Sequence, residues 1–288
     1  MPTATRRPRP RRYDPAKVRA ALDAELRAVR GAVAVVCAAE DARQLLQART
    51  RLGSWTVRDL ITHLARALEA LPRGLRGPST GERIDLQGYV GGLSVRAAEV
   101  ADAAVRDSEA LPSDEPRAVL ERLDAAVVAL EEAVAATEGR GELVGTALGV
   151  LTVDDFLVTR LLEVVVHGDD LTAATGAAIR HDREALATVT RLLADTLAAR
   201  APGGSVELRI PPFAVVQCVE GPRHTRGTPP NVVETEPLTW IRLATGRLPW
   251  WEAAGGSRLT ASGERADLSE LLPVFRERAE PPAAEGGS

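Results

Sequence analysis

Aliphatic side chains recur at three- and four-residue spacing through most of the first 200 residues, which is the pattern of amphipathic helices. Val18, Leu22, Leu26 and Val29 open the series, which continues to about Leu46. Only 3% of the residues are aromatic, whereas 45% are hydrophobic, so the core must consist mainly of Ala, Leu and Val. Because Ala and Leu favour helix, the first two-thirds of the chain is expected to be helical.

Further helices are predicted by the same periodicity and by start signals of the capping-box type. In a capping box, the side chain at the helix start accepts from the backbone N–H three residues later, and the side chain of that later residue accepts from the first backbone N–H. This spacing occurs at Thr56 and Asp59 and again at Thr152 and Asp155. Ser113 or Asp114 is a candidate cap for another helix. The predicted helices cover about 56–72, 89–104, 116–137, 153–176 and 183–199.

The character of the chain changes at Pro202, where two glycines follow. Residues 206–210 alternate apolar and polar, as a half-buried strand does. Short strands are also predicted at 213–219, 232–233 and 257–261, and helices at 237–246 and 268–275. The sequence therefore predicts an α+β protein, in which a helical bundle is followed by a small α/β domain.

Charge and composition exclude some classes of function. The net charge of −4 creates no basic field for nucleic acid. The arginines between residues 6 and 12 alternate with prolines and are expected to form a solvated tail. No apolar stretch is long enough to cross a membrane, and no signal peptide is evident. We expect a cytoplasmic protein without membrane or nucleic-acid partners, with Cys37 and Cys218 reduced.

Three residues form a candidate metal site. Glu163 and His167 are four apart within an apolar helical segment, so their side chains share one face. His63 lies in another amphipathic helix, and inward-facing residues of a bundle can meet at one metal ion. Two imidazoles and a carboxylate suit zinc, although iron(II) uses a similar set. Spacing alone leaves open that these histidines are hydrogen-bonded core residues.

Other polar residues are candidates to support this site. Asp170 shares the face of Glu163 and is a candidate to accept the second N–H of a metal-bound histidine. Asp59, one turn before His63, is a second candidate, although capping its own helix is the favoured alternative. Arg160, which can also reach Glu163, is a candidate for binding substrate, and Arg226 in the turn-rich loop 221–231 is a candidate for binding an anionic substrate. A polar surface loop is the competing interpretation of that segment.

The residues around the three candidate ligands resemble a known family. The segment 55–65, WTVRDLITHLA, resembles the first signature of the mycothiol-dependent maleylpyruvate isomerase family, part of the DinB-like superfamily. The segment 163–171, EVVVHGDDL, resembles its second signature. The resemblance implies a four-helix bundle in which His63, Glu163 and His167 hold the metal. The segments 217–230 and 237–246 resemble a bacterial sterol-carrier-like domain that often follows such bundles.

Taken with the resemblance, the chain is divided into a disordered basic tail at 1–13, a DinB-like metal-binding bundle at 14–178, a sterol-carrier-like α/β domain at 179–278, and a disordered tail at 279–288. The family implies mycothiol as co-substrate, and a metal ion that binds and activates its thiol. We therefore expect a transferase or isomerase acting on a small electrophilic substrate. Two alternatives remain open: a lipid or sterol carrier with a structural metal, and a non-catalytic bundle that binds other proteins.

Overall fold

A computed structural model of the chain describes residues 11–112, 115–222 and 229–275. Four long helices form the bundle, and their apolar faces are buried against one another. α1 and α3 each pack against both α7 and α8, so the four helices close a ring around one core. The helices are α1 (Pro15–Ala38), α3 (Val57–Leu68), α7 (Pro116–Thr137) and α8 (Val153–Thr175).

Further elements connect these four helices. α6 packs against α3, and an antiparallel hairpin leads directly into α8. A short 3-10 turn at Leu93–Arg96 separates α5 from α6. The connecting elements are α2 (Ala42–Gln47), α4 (Ala70–Arg76), α5 (Leu86–Gly92), α6 (Ala97–Glu109), β1 (Leu143–Thr146) and β2 (Gly149–Thr152).

The C-terminal part is a four-stranded sheet covered by helices. Helix α9 packs against α1 and α8 on one side and against strand β4 and helix α10 on the other, so it joins the bundle to the sheet. The strand order is β4-β3-β5-β6, with β3 and β5 parallel and the other pairs antiparallel. These elements are α9 (Arg183–Arg200), β3 (Val206–Ile210), β4 (Ala214–Cys218), β5 (Val232–Thr235), α10 (Pro237–Ala244), α11 (Trp250–Ala254) and β6 (Leu259–Ser262).

The α+β class with an N-terminal helical bundle is confirmed, and several element boundaries differ from the prediction. The predicted helix 14–46 is broken after Ala38, because Ala39 adopts an extended conformation. The predicted helix 89–104 is interrupted by the 3-10 turn that follows Gly91 and Gly92; glycine lowers helix stability. The β1–β2 hairpin was not predicted.

The predicted helix at 268–275 is wrong. Only a 3-10 turn at Ser269–Leu271 forms there. Pro273 explains the difference, because proline disfavours helical geometry at the residue before it and lacks the N–H that a helix requires. The last described residues instead lie against α10, where Val274 N donates to Ala244 O.

Some predictions fall on residues that the structure does not describe. These are residues 1–10 of the predicted N-terminal tail, the candidate caps Ser113 and Asp114, Arg226, and the predicted tail at 279–288. Arg11, at the end of the predicted N-terminal tail, is described and pairs with Asp195 of α9. No helix among the described residues is long and apolar enough to cross a membrane.

Candidate metal centre

Two helices of the bundle present the three predicted ligands to one point. α3 begins with a capping box, in which Thr56 accepts from Asp59 N and Asp59 accepts from Thr56 N. This start fixes the helix so that His63, in its middle, is buried towards α8. α8 begins at the cap Thr152.

The polar atoms of the three residues converge on one point. Glu163 and His167 lie one turn apart on the same face of α8. Glu163 Oε2 is 3.2 Å from His63 Nε2 and 3.4 Å from His167 Nε2. One nitrogen or oxygen from each residue lies within 4.8 Å of the others. The structure therefore brings together the residues that sequence spacing had joined only in part.

Glu163 is held as a carboxylate despite its position. Burial by itself would raise the pKa of Glu163, but hydrogen bonds from His167 and His63 and the charge of Arg160 outweigh it. The pKa of Glu163 consequently lies well below that of an ordinary glutamate. An ionised oxygen between two imidazoles is the state in which a carboxylate binds a cation.

Asp170 contacts His167 from the side opposite Glu163. His167 Nδ1 lies 3.0 Å from Asp170 Oδ2, and both side chains are fully buried. Burial opposes ionisation of Asp170, but the charge of Arg247 and the hydrogen bond from His167 hold its pKa far below the usual range. Asp170 is therefore placed to accept from His167 Nδ1, and its role behind a metal ligand stays a prediction.

Asp59 and Arg160 are positioned differently from Asp170. Asp59 Oδ2 accepts from both the backbone N and the hydroxyl of Thr56, so its carboxylate serves the helix cap. Arg160 is buried and lies 3.9 Å from Glu163 Oε1, while it donates to the Ala67 carbonyl and to the Tyr89 hydroxyl. These bonds fix the guanidinium beside Glu163, where its charge supports the carboxylate.

An apolar cavity borders two of the three residues on the side of α6. His63 and Glu163 line it together with Trp55. The Trp55 ring lies 4.9 Å from the His63 ring, and Trp55 Nε1 and His63 Nδ1 are buried without a hydrogen-bond partner among the described residues. The remaining walls are aliphatic: Leu52, Leu93, Ala97, Val100 and Ala101.

Several residues around the site were not predicted as functional. Trp55 was noted only as part of a signature, although a tryptophan directly before a helix cap in an aromatic-poor chain is a usable signal. Arg51, Arg242 and Arg247 surround Asp169 and Asp170. No local pattern distinguishes these arginines from the many others in the chain.

Comparison with known protein families finds the same two families that the sequence motifs resemble, one for each domain. The model of the mycothiol maleylpyruvate isomerase N-terminal domain matches residues 22–172, and the model of the bacterial SCP ortholog matches residues 182–274. No curated protein sequence matches the chain.

Two solved structures share the fold along nearly the whole chain. A crystal structure of a mycothiol-dependent maleylpyruvate isomerase aligns with a TM-score of 0.55 and 18% identity, covering 86% of this chain and 91% of the other. A histidine-to-alanine mutant of such an enzyme aligns with a TM-score of 0.58 and 17% identity, covering 87% and 93%. With the N-terminal family model covering more than half of the residues, this chain belongs to the mycothiol maleylpyruvate isomerase family and carries a bacterial SCP-type domain at its C-terminal end.

Proposed function

We propose that the protein is a metal- and mycothiol-dependent transferase or isomerase that acts on a small electrophilic substrate. His63, Glu163 and His167 are the proposed ligands of one divalent ion, and zinc fits their donor set best. Three protein ligands leave a further coordination position for an exogenous group. Family membership supports mycothiol as the thiol that takes this position.

The observation that carries the proposal is the position of His167 between two carboxylates. Its Nε2 faces Glu163 and its Nδ1 faces Asp170, at 3.4 and 3.0 Å. A neutral imidazole carries one N–H and can donate to only one of them, so a cation at Nε2, either a proton or a metal ion, is needed to match both carboxylates. A metal ion fits this position, because Nδ1–H then donates to Asp170 while Nε2 and Glu163 both face the ion.

A bound zinc ion would supply a positive charge that deprotonates a coordinated thiol at neutral pH. The chain contributes the position and the surroundings of that sulfur. The aliphatic walls of the cavity would shield a thiolate at this position from water on the side of α6 and leave it available to the electrophilic carbon of a substrate. Trp55 Nε1 is a buried donor available to a bound molecule.

The two arginines predicted to bind substrate have different status. Arg226 lies outside the described residues and remains our proposal for binding an anionic group. Arg160 is 4% exposed and engaged with Ala67 and Tyr89. For Arg160 we therefore propose support of Glu163 in place of direct substrate contact. Loss of turnover with unchanged metal content in Arg226→Ala protein would support the first of these proposals.

The proposed function is tested by cobalt substitution. Cobalt(II) bound by His63, Glu163 and His167 would give visible absorption bands, and addition of mycothiol should produce a new sulfur-to-cobalt charge-transfer band. His167→Ala should abolish both signals, whereas His181→Gln, which changes a half-buried histidine paired with Glu25, should retain them. Cobalt binding that is equal in wild type and His167→Ala would overturn the proposal.

The lipid-carrier alternative is less well supported by the C-terminal domain. Its interior is occupied by buried side chains, including Leu208 and Trp240, and Trp240 Nε1 donates to the Thr190 carbonyl. These groups occupy the space between sheet and helices that a bound acyl chain would need. Stoichiometric lipid in a gentle organic extract of the purified protein would reverse this ranking.

A further inference from the structure

Two adjacent buried carboxylates, Asp169 and Asp170, lie in α8 directly after the proposed ligand His167. Asp169 is 3% exposed and Asp170 is fully buried. Charged groups are rarely buried unless they are paired. Their partners are three arginines, and these come from distant parts of the chain.

The arginines connect the bundle to the C-terminal domain. Arg51, in the loop between α2 and α3, bonds to both carboxylates and lies 2.6 Å from Asp170 Oδ1. Arg242 of α10 forms a two-point contact with Asp169, at 2.9 and 2.5 Å. Arg247, just after α10, donates to Asp170 at 2.9 and 3.3 Å. Two of the three arginines therefore belong to the C-terminal domain. We call this interface between the domains the seam; it consists of Asp169, Asp170, Arg51, Arg242 and Arg247.

Only one of the two carboxylates contacts a proposed metal ligand. Asp170 Oδ2 accepts from Arg247 Nη2 at 2.9 Å and also faces His167 Nδ1 at 3.0 Å. Arg247 is itself 4% exposed, and its remaining nitrogen Nη1 donates to the Thr245 carbonyl. This guanidinium is thus fixed at both ends, so it fixes the oxygen that orients the histidine.

We propose that Arg247 is a positioning residue for the metal centre, through which the C-terminal domain sets the orientation of His167 and the affinity for metal. This inference rests on the proposed metal site. The physical reason is geometric: the Asp170 oxygen that faces His167 Nδ1 also accepts from Arg247 Nη2. The fork-shaped donor pair of Arg247 holds this oxygen in the position from which it orients the ring.

The competing explanation is that these ion pairs only hold two domains together. Asp169 and Arg242 provide the matched control, because they also form a bidentate ion pair across the same seam. In the described residues, Asp169 bonds to arginines and to no proposed ligand. If docking alone matters, loss of either arginine should have the same consequence for metal binding.

The test compares Arg247→Gln with Arg242→Gln in the full-length protein. Zinc dissociation constants are measured by competition with a chromophoric chelator, and the visible spectrum of the cobalt(II) form reports ligand geometry. We expect Arg247→Gln to weaken zinc binding about 10- to 100-fold, the usual effect of losing a partner behind a metal ligand, and to change the cobalt spectrum. Arg242→Gln should stay within about threefold of wild type.

Arg247→Lys keeps the charge and loses the fork, so it should fall between wild type and Arg247→Gln. If Arg247→Gln does not fold, as judged by circular dichroism, Arg247→Lys carries the comparison with Arg242→Gln alone. Zinc constants for the Arg247 and Arg242 variants that agree within threefold would overturn this inference and leave the metal site intact. If Glu163→Gln and His167→Ala bind zinc as tightly as the wild type does, the proposed function is overturned as well.

Discussion

Two clusters of buried charge lie on opposite sides of His167, and the protein neutralises them differently. At the seam between the domains, two carboxylates are matched by three guanidinium groups, all supplied by the chain. At the proposed metal centre, the carboxylate of Glu163 faces two imidazoles, and the guanidinium of Arg160 lies 3.9 Å away. Guanidinium groups cannot coordinate a metal ion, whereas imidazole nitrogens can, so the second cluster is the one that offers a donor set for an external cation. On our proposal, the first cluster is structural and the second binds a metal ion.

The largest effect should come from removing one carboxylate charge on each side of His167. Glu163→Gln should weaken zinc binding by more than about 100-fold, because it removes the only carboxylate in the donor set. Asp169→Asn also removes one carboxylate charge, in the seam, and should leave the zinc dissociation constant within about threefold of the wild-type value. Chelator competition measures both. Comparable losses in the two variants would mean that the clusters do not differ in this way.

The stability of the metal-free protein should separate the two seam carboxylates. Asp170→Ala leaves the buried Arg247 without its main partner and should lower the free energy of unfolding by about 3 kcal/mol. Asp169→Ala should cost only about 1 kcal/mol, because Arg51 and Arg242 are each about one-quarter exposed and regain water. Urea unfolding in the presence of a chelator measures both values. A larger loss for Asp169→Ala would contradict the assigned roles.

The pH dependence of stability follows from the lowered pKa values of Asp169 and Asp170. In the unfolded chain an Asp has a pKa of about 3.9. The native state therefore binds fewer protons than the unfolded state below about pH 5, and its stability falls as the pH falls towards the lowered values. Urea unfolding of the metal-free protein between pH 5.5 and 3 should show this decline. Asp170→Asn should flatten it, and an unchanged slope would argue against the lowered pKa.

The smallest effects should come from the caps that begin the two ligand-bearing helices. Thr56→Ala removes the hydroxyl that accepts from Asp59 N, and Thr152→Ala removes the one that accepts from Asp155 N. Each should lower the free energy of unfolding by about 1 kcal/mol. Thr56→Ser and Thr152→Ser are the matched controls and should retain most of the stability. A zinc dissociation constant changed more than threefold by either alanine variant would show that the caps also position ligands.

Sequence reasoning succeeded where the signal lies within a few neighbouring residues. Capping-box spacing located the starts of α3 and α8 because that signal lies within four residues. The E-x-x-x-H spacing placed Glu163 and His167 on one face for the same reason. The family resemblance joined His63 to them, and the structure brings all three within 4.8 Å. Their role as ligands remains our proposal.

Other features depended on contacts between distant residues. The break after Ala38 and the β1–β2 hairpin gave no clear local signal. The predicted support of His63 by Asp59 competed with a cap, and the hydrogen bonds of Asp59 lie with Thr56. Arg51 and Arg247 contact Asp170 across 119 and 77 residues of chain. In a sequence so rich in arginine, nothing local indicates which arginine will lie beside Asp170.

The sequence by itself determined the α+β class, the helical faces and the residues that can bind a metal. Those properties arise from periodicity and from side-chain chemistry over a few residues, which do not depend on the rest of the fold. Only the tertiary structure decided that His167 lies between two carboxylates and that the C-terminal domain supplies Arg247 to one of them. Burial creates this arrangement, because charges withdrawn from water must find partners wherever packing brings them together.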